Sequence, residues 1–398
     1  MRLIIRIFFI VLFSLTINYT HLYSCTTFCL KTEDENIFGR NYDWSIDYGI
    51  VFVNKRSVVK IAFAKTGKPV EWISKYGSVT FNQFGREFPT GGMNESGLVV
   101  ELMWLEETEY PDSDDRSTVG GILQWIQYQL DNCETIAEVI DSDEIIRIPE
   151  GAVPVHYLIS DRFGNSATIE FLKGKMITHY GEKLPHPVLT NDTYSGSADY
   201  LNQLKEFGGE KELVNDKSSL YRFAKTCSML KDFKKGSDEN AVQYGFKILD
   251  EVNQGEHTKW SIVYDIKNME IYYRTLKNRE IKIVDFKTLS FDCNLPVMMT
   301  DINDGREGKI NDHLKEYSYD KNRELIERSY SSVDFLKDIT NEMKDLTAAF
   351  PDRYHCVNKS QTENIAEEES YEFKYSILFL LIPFLLIIFI ITRQAIKI

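Results

Sequence analysis

The residue with the most reactive chemistry near the start of the chain is Cys25. A thiol with a pKa of about 8.5 is a weak nucleophile until a base takes its proton, whereas a free α-amine, with a pKa of about 7.7–8.0, is partly neutral at physiological pH. If the chain is cut after Ser24, Cys25 carries both groups on one residue. Such an amine can deprotonate the thiol directly or through a water, so this arrangement predicts an N-terminal nucleophile that cleavage activates.

The residues before Cys25 have the layout of an export signal. Arg2 and Arg6 precede a mainly apolar run, and a more polar stretch then ends in the small residue Ser24. This layout predicts a secretory signal peptide over 1–24, whose apolar part is too short to cross a membrane comfortably.

The opposite end of the chain predicts a membrane anchor. Residues 375–392 are uncharged and strongly apolar, close to the roughly 17–25 residues that cross a bilayer. Arg393 and Lys397 follow this run, so the positive-inside rule leaves the tail 393–398 in the cytoplasm and the body outside. We therefore expect an exported protein that a single C-terminal helix holds on the membrane.

Residues 22–25 also fit a lipoprotein cleavage box, in which Cys25 would carry a lipid. Tyr23 is bulky where such boxes favour a small or aliphatic residue, and a chain held by a C-terminal span has no need of a second anchor. We therefore predict a free Cys25 and keep lipidation as the alternative.

Composition bounds the rest of the chain. With 43% hydrophobic and 13% aromatic residues, the 398-residue chain can fill a large core. Its net charge of −14 argues against nucleic-acid partners and against docking on anionic lipid. The histidines are scattered without metal-binding spacing, so we predict neither metal nor cofactor. Six scattered cysteines make no disulfide framework, and a bridge between Cys293 and Cys356 is left open.

Short β-rich runs dominate the chain, and amphipathic helical patterns fall between them. The alternation and close spacing of the runs predict antiparallel sheets rather than βαβ units. Helices are expected over 121–132, 219–230 and 240–252. Two clusters of strands with helices between them predict an α+β body of two sheets covered by helices.

Five short motifs occur in an order that points to a known family. They are Cys25-Thr26-Thr27-Phe28, Gly39-Arg40-Asn41-Tyr42-Asp43-Trp44, Gly92-Met93-Asn94-Glu95-Ser96-Gly97-Leu98, Val188-Leu189-Thr190-Asn191 and Ser219-Leu220-Tyr221-Arg222-Phe223. Over roughly 25–303 the chain resembles the choloylglycine hydrolase family, which includes bile salt hydrolases and penicillin V acylases. The resemblance implies a four-layer αββα sandwich of the N-terminal nucleophile (Ntn) hydrolase type, which hydrolyses linear amide C–N bonds through a thioester.

Beyond about residue 308 the chain becomes charged and largely helical, which predicts a helical appendage and a stalk. The predicted domains are a signal peptide (1–24), an Ntn-hydrolase domain (25–307), an appendage and stalk (308–374), a transmembrane helix (375–392) and a cytoplasmic tail (393–398).

The resemblance also implies a role for each matched side chain. Cys25 would be the nucleophile, and Asp43 would accept a hydrogen bond from its α-ammonium or thiol. Arg40 would lower the pKa of the thiol. Asn191 would donate to the oxyanion of the tetrahedral intermediate, a contact that often lowers the barrier by about 3 kcal/mol, and Arg222 would hold the surroundings of the nucleophile.

One position departs from the family pattern. Where the family has asparagine or tyrosine, this chain has Trp104. Its backbone N–H would still serve the oxyanion, but the large indole would border the substrate, stacking on an aromatic acyl group or narrowing the pocket. This residue weakens the expectation of bile-salt specificity.

The sequence thus predicts a membrane-anchored, extracytoplasmic amidohydrolase. Its partner would be a small acyl amide such as penicillin V, a conjugated bile salt or an N-acyl homoserine lactone. One alternative is an anchored or lipidated binding protein on an inactive scaffold. A weaker one is a papain-type thiol protease that pairs Cys25 with His156 or His257. Homo-oligomerisation is left open.

Overall fold

The computed structural model describes residues 24–233 and 240–357. The predicted signal peptide up to residue 23 and the predicted membrane helix over 375–392 lie outside these residues. Within the described part, no helix is long and apolar enough to cross a bilayer. The chain divides into a compact first unit that ends at Tyr354 and a second unit that begins at His355.

The described strands and helices follow one another in a mixed order. The strands of the first unit are β1 (Thr26–Lys31), β2 (Asn36–Asp43), β3 (Ile50–Asn54), β4 (Val58–Ile61), β5 (Glu71–Ile73), β6 (Ser78–Asn82), β7 (Pro89–Asn94), β8 (Val99–Trp104), β9 (Ser117–Thr118), β10 (Ile146–Arg147), β11 (Val155–Ser160), β12 (Ser166–Leu172), β13 (Lys175–Tyr180), β14 (Val188–Leu189), β15 (Thr258–Asp265), β16 (Glu270–Thr275), β17 (Lys282–Asp285), β18 (Met298–Asp301), β19 (Gly308–Lys309) and β20 (Lys315–Glu316). Its α-helices are α1 (Ile122–Asn132), α2 (Ile136–Asp141), α3 (Tyr194–Leu201), α4 (Ser219–Asp232), α5 (Ala241–Glu251), α6 (Tyr319–Ser332) and α7 (Asn341–Ala349). The described strand of the second unit is β21 (His355–Cys356).

The first of two large sheets contains the N-terminal hairpin. Its strand order is β14-β1-β2-β15-β16-β17-β19, and all neighbours are antiparallel except β17 and β19. Thr27 of β1 pairs with Arg40 of β2, and Arg40 pairs on its other side with Ile262 of β15. Every residue of β2 is buried, as expected for a strand covered on both faces. Helices α4 and α5 pack on this sheet.

The second large sheet has the order β13-β12-β11-β8-β7-β6-β3-β18-β20. Alternate residues of β8 point to opposite faces, as the geometry of a strand requires. Val99 and Met103 join the hydrophobic cluster shared with the first sheet, whereas Val100 and Leu102 join a second cluster with Trp125 of α1. This sheet therefore packs against the first sheet on one face and against α1 on the other. The predicted α+β class is confirmed, and helices occur at all three predicted places.

The chain after residue 307 continues the first unit up to Tyr354, so α6 and α7 of the predicted appendage pack on the body. Asn322 of α6 accepts a hydrogen bond from the Arg86 N–H at 2.8 Å. The hydroxyl of Tyr48 donates to the Arg328 carbonyl at 2.7 Å. These bonds join polar groups of α6 to the body. In a free stalk the same groups would bond to water.

The cysteines fall into two groups. Cys293 and Cys356 are each disulfide-bonded. The free cysteines are all buried, and they are Cys25, Cys29, Cys133 and Cys227. Solvent exposure therefore does not distinguish a reactive cysteine among the four, and the groups around each thiol have to do so.

Candidate active site

Cys25 lies directly before β1 and is only 3% exposed. Its thiol donates to the backbone oxygen of Asp43, with 3.8 Å between Sγ and that oxygen. Burial raises the pKa of the Cys25 thiol; the charge of Arg40 opposes this shift, the charge of Asp43 adds to it, and the bond to the Asp43 backbone oxygen opposes it. We predicted that Arg40 lowers the thiol pKa, and it does act in that direction, but the larger effect of burial makes the net shift upward. The thiol therefore needs a base close by.

Arg40 binds two strands of the second sheet where they separate. The hydrogen-bonded ladder of β7 and β8 ends at the pair Gly91 and Glu101. Just beyond it, the Arg40 guanidinium donates to the carbonyl of Thr90 on β7 at 2.8 Å and to that of Leu102 on β8 at 3.0 Å. A planar, forked donor can serve both carbonyls at once, which a lysine ammonium cannot do with the same geometry.

Glu101 is the ionic partner of Arg40, and both side chains are fully buried. Glu101 also accepts a hydrogen bond from the Tyr264 hydroxyl of β15. Glu101 is not among the residues that the sequence motifs single out. A single acidic residue in the apolar strand Val99–Trp104 was the available signal, because a buried carboxylate needs a paired charge.

Asp43 ends β2, and its carboxyl group is fully buried. One carboxylate oxygen accepts from the Thr258 hydroxyl. The other, Oδ2, has no hydrogen-bond partner among the described residues. Burial raises the pKa of Asp43 from 3.8 to about 6, against the opposing effects of the Arg222 charge and the Thr258 hydrogen bond. An unpaired, buried carboxylate oxygen beside Cys25 is suited to accept a hydrogen bond from a cationic group.

Replacing Asp43 with asparagine in a chain that keeps Ser24 is expected to raise the free energy of unfolding above about pH 6. The folded protein holds the Asp43 proton more tightly than the unfolded chain, so stability falls as the pH rises from 3.8 to about 6. Above that range the penalty amounts to about 3 kcal/mol. Near pH ~4 the two proteins should differ little. Urea unfolding at both pH values measures the difference, and equal stabilities at about pH 8 would contradict the prediction.

Arg222 of α4 connects Cys25 to Asn191. Its NH1 group donates to the Cys25 carbonyl and, at 2.8 Å, to the Thr26 hydroxyl. Its NH2 group donates to the Asn191 side-chain oxygen at 2.9 Å. Because a guanidinium can only donate, this bond fixes which end of the Asn191 amide is oxygen. Burial lowers the pKa of Arg222, and the neighbouring Asp43 charge opposes that shift.

The Asn191 amide nitrogen lies beside the backbone of Trp104, to whose carbonyl oxygen it donates at 2.8 Å. The N–H of Leu105 donates towards β11, to the Pro154 carbonyl. Since the backbone groups of consecutive strand residues alternate between edges, the N–H and C=O of Trp104 face away from β11. Two N–H donors, from the Asn191 side chain and the Trp104 backbone, are therefore placed at the same edge of β8.

The Trp104 indole is fixed at the edge of a cavity. Its Nε1 donates to Glu106 at 2.9 Å, and its ring lies 6.3 Å from that of Trp44. Cys25 and both indoles line this cavity of about 520 Å³. That volume lies in the range of small-molecule sites, about 300–1,000 Å³.

His156 does not serve the thiol. Its Nε2 lies 2.8 Å from the Thr190 carbonyl, and its Nδ1 lies 3.3 Å from the Glu170 carboxylate. Both ring nitrogens are engaged, so the papain-type alternative finds no base there. His257 contributes its backbone oxygen to the Trp44 N–H at 2.9 Å. The His257 side chain is exposed, and His257 is not among the residues that line the cavity beside Cys25. The structure thus groups Cys25 with the predicted residues, which are Arg40, Asp43, Trp104, Asn191 and Arg222.

Comparison with known proteins places the chain in a family. Residues 25–299 match the family described as linear amide C-N hydrolases, choloylglycine hydrolase family. A penicillin V acylase of Pectobacterium atrosepticum is 27% identical over 324 residues, which cover 70% of this chain and 85% of the relative. The structure of penicillin V acylase from Agrobacterium tumefaciens covers 74% of this chain and 98% of its own, with 25% identity and a TM-score of 0.65.

A conjugated bile acid hydrolase from Clostridium perfringens shares the fold, with a TM-score of 0.58 and 21% identity over 72% of this chain and 99% of its own. The resemblance carried by the five motifs is confirmed. The chain belongs to the choloylglycine hydrolase family and is a hydrolase of carbon–nitrogen bonds in linear amides.

Proposed function

We propose that the protein cleaves a small acyl amide with Cys25 as its N-terminal nucleophile, through a thioester acyl-enzyme. The observation that best supports this is the Arg222 guanidinium, which donates both to the Cys25 carbonyl and to the Asn191 amide. One buried cation thus fixes the position of the nucleophile relative to an amide donor. Such positioning is what acyl transfer requires.

Cleavage after Ser24 activates the site in this proposal. The cut turns the backbone nitrogen of Cys25 into an α-amine. In its protonated form the amine donates to the Asp43 Oδ2, which has no other hydrogen-bond partner among the described residues. In its neutral form it takes the thiol proton, which the raised pKa of the buried Cys25 thiol would otherwise retain.

Acylation then follows from the two donors at the edge of β8. The Cys25 thiolate attacks the amide carbon, a C–S bond forms, and the carbonyl oxygen becomes an oxyanion. The oxyanion accepts hydrogen bonds from the Asn191 side chain and from the Trp104 backbone N–H. Removing one such donor from an enzyme lowers kcat by about 10²–10³-fold. The α-ammonium gives its proton to the leaving nitrogen as the C–N bond breaks, and a thioester remains.

Hydrolysis of the thioester repeats these steps with water. The neutral α-amine takes a proton from the attacking water, whose oxygen bonds to the acyl carbon. The same donors stabilise the second oxyanion. The C–S bond then breaks, the thiolate of Cys25 regains a proton from the α-ammonium, and the carboxylic acid leaves.

The cavity and the relatives support the substrate class in this proposal. Penicillin V, a conjugated bile salt and an N-acyl homoserine lactone all join an apolar acyl group to nitrogen, and the aromatic rings of Trp44 and Trp104 line the cavity beside Cys25. An exported enzyme, anchored by the helix predicted over 375–392 with its catalytic domain outside, would meet such compounds before they enter the cell. The location is part of the proposal.

The test is to produce the full chain in an exporting host and to determine its N-terminus by sequencing and intact mass. We expect Cys25 as the first residue, with a free α-amine. The purified protein should release amine from at least one compound of a panel of phenoxyacetyl, bile-salt and acyl-homoserine-lactone amides.

Each other outcome excludes part of the proposal. Fully active protein that begins before Cys25 would rule out the α-amine as base. A lipid on Cys25, together with no hydrolysis and measurable binding of the same amides, would favour an anchored binding protein on an inactive scaffold.

A further inference from the structure

The cavity beside Cys25 has a wall that comes from the end of the compact unit. Residues of α6, α7 and their connecting segment line it together with Cys25, and they are Tyr330, Phe335, Leu336, Ile339, Met343 and Thr347. The family match ends at residue 299, so this wall comes from chain beyond it. We infer that the wall formed by 330–347 holds the acyl group and gives the enzyme a preference for long acyl chains; the inference rests on the proposed function.

Helix α6 is fixed to the loop that carries another cavity residue. The Ser329 hydroxyl donates to the carbonyl of Gln83, next to Phe84 of the cavity. Ile326 is fully buried below Gly85, where an added Cβ would come within 2.9 Å of it. Gly85 also has φ +111°, a conformation that side chains disfavour, so the close approach of loop and helix depends on glycine.

Helix α7 is fixed on the other side of the cavity. Phe350, just after α7, lies 4.6 Å between ring centroids from Phe63, which lines the cavity. The Tyr354 hydroxyl donates to the Ile61 carbonyl at 3.1 Å. Both ends of the helix pair are therefore attached to strands or loops of the catalytic body, and the wall keeps its place without a partner protein.

The chemistry of the wall points to hydrocarbon. Phe335, Leu336, Ile339 and Met343 are apolar, and a flexible methionine adapts its shape to a chain. The Thr347 hydroxyl donates back to the Met343 carbonyl at 2.8 Å. None of the six wall residues carries a charge, so the wall offers no ion pair to a charged acyl group.

A long acyl chain buries more of its methylene groups against such a surface than a short one does, and each buried group adds to the affinity. Each buried CH₂ is expected to raise kcat/KM by about fourfold until the cavity is filled. Phe335 is 48% exposed at the cavity edge, so part of its ring is available to a bound chain. A short acyl group would reach Cys25 without touching this wall.

The test measures kcat/KM of the full-length enzyme on N-acyl amides that share one amine and differ in a saturated acyl chain from acetyl to tetradecanoyl. Ile339→Phe narrows the cavity and should lower the rate for the longest chains by about tenfold or more while leaving acetyl within about twofold. Phe335→Ala removes a contact surface and should flatten the rise with chain length. Leu346→Ala is the matched control, because Leu346 is an exposed residue of α7 outside the cavity.

The outcomes separate the inference from the proposed function. If the wild type hydrolyses the series and both wall variants keep its chain-length profile, the wall inference is wrong and the proposed function stands. Hydrolysis of the phenoxyacetyl or bile-salt amides without hydrolysis of this series would overturn the wall inference and leave the proposed function standing. If the wild type hydrolyses neither this series nor any amide of that panel, the proposed function fails.

The wall is then tested by the change in intrinsic tryptophan emission on adding saturated fatty acids of the same lengths, because Trp44 and Trp104 line the cavity that such an acid would enter. Tighter binding of longer acids that Ile339→Phe abolishes would support the wall. Binding that does not depend on length, or that the variant leaves unchanged, would overturn it.

Discussion

Cys25→Ser is expected to lower kcat/KM by at least about 10⁴-fold, the scale of loss when the nucleophile of an acyl-transfer enzyme is removed. A serine hydroxyl is far less acidic and less nucleophilic than a thiol, so the same α-amine activates it much less in a site arranged around sulfur. Burial adds to this effect, since it already disfavours the anionic form of the side chain at position 25. Rates of amine release by purified wild type and variant measure the loss.

Cys29→Ser is the matched control for this change. Cys29 lies on β1, four residues after Cys25, is also free and 4% exposed, and burial raises the pKa of its thiol to about 12. We expect this variant to keep the activity of the wild type within about threefold, at some cost in stability. Equal losses in both variants would mean that a buried thiol in this hairpin matters for folding, not for nucleophilic attack.

Glu101→Gln is expected to lower the free energy of unfolding by about 3–5 kcal/mol. The change leaves the Arg40 guanidinium without its counter-charge. Both side chains of this pair are fully inaccessible to solvent, so water cannot replace the lost carboxylate. The loss should come with a fall in activity, since Glu101 holds in place the Arg40 guanidinium, whose charge opposes the upward shift of the Cys25 pKa. Urea unfolding followed by tryptophan fluorescence measures the stability.

Glu324→Gln makes the same chemical change in an exposed ion pair with Lys321 on α6. It should cost only about 0.2–0.5 kcal/mol. A double variant with Arg40→Met and Glu101→Leu removes both charges and should recover most of the stability lost by Glu101→Gln alone. A Glu101→Gln protein as stable as the wild type would show that the buried pair is not held by its charges.

The local parts of the site were predictable from the sequence. The hairpin of β1 and β2 carries Cys25, Arg40 and Asp43 within one short stretch, so recognition of the motifs was enough to group them. Asn191 and Arg222 were placed by motifs rather than by any physical pattern, and the structure connects them by a hydrogen bond. Their catalytic roles stay predictions.

Contacts between the two sheets could not be predicted from the sequence. Glu101 meets Arg40 across 61 positions of chain, and the alternation of β8 gives its face but not its partner. The last helices were expected in an appendage because their residues are mostly charged and their apolar faces partial. Their packing depends on a few buried groups, such as Asn322 and Ser329, which look polar and solvent-exposed in a sequence.

Strand β8 has a consequence for how the enzyme tolerates change. Three of its residues contact the site. Glu101 forms an ion pair with Arg40, the Leu102 carbonyl accepts a hydrogen bond from Arg40, and the Trp104 carbonyl accepts one from Asn191. A displacement of this strand would change both the charges around Cys25 and the positions of the donors that stabilise the developing negative charge. Substitutions beneath β8 should therefore be penalised more than their distance from the sulfur suggests, and natural variation is expected to accumulate elsewhere in the molecule.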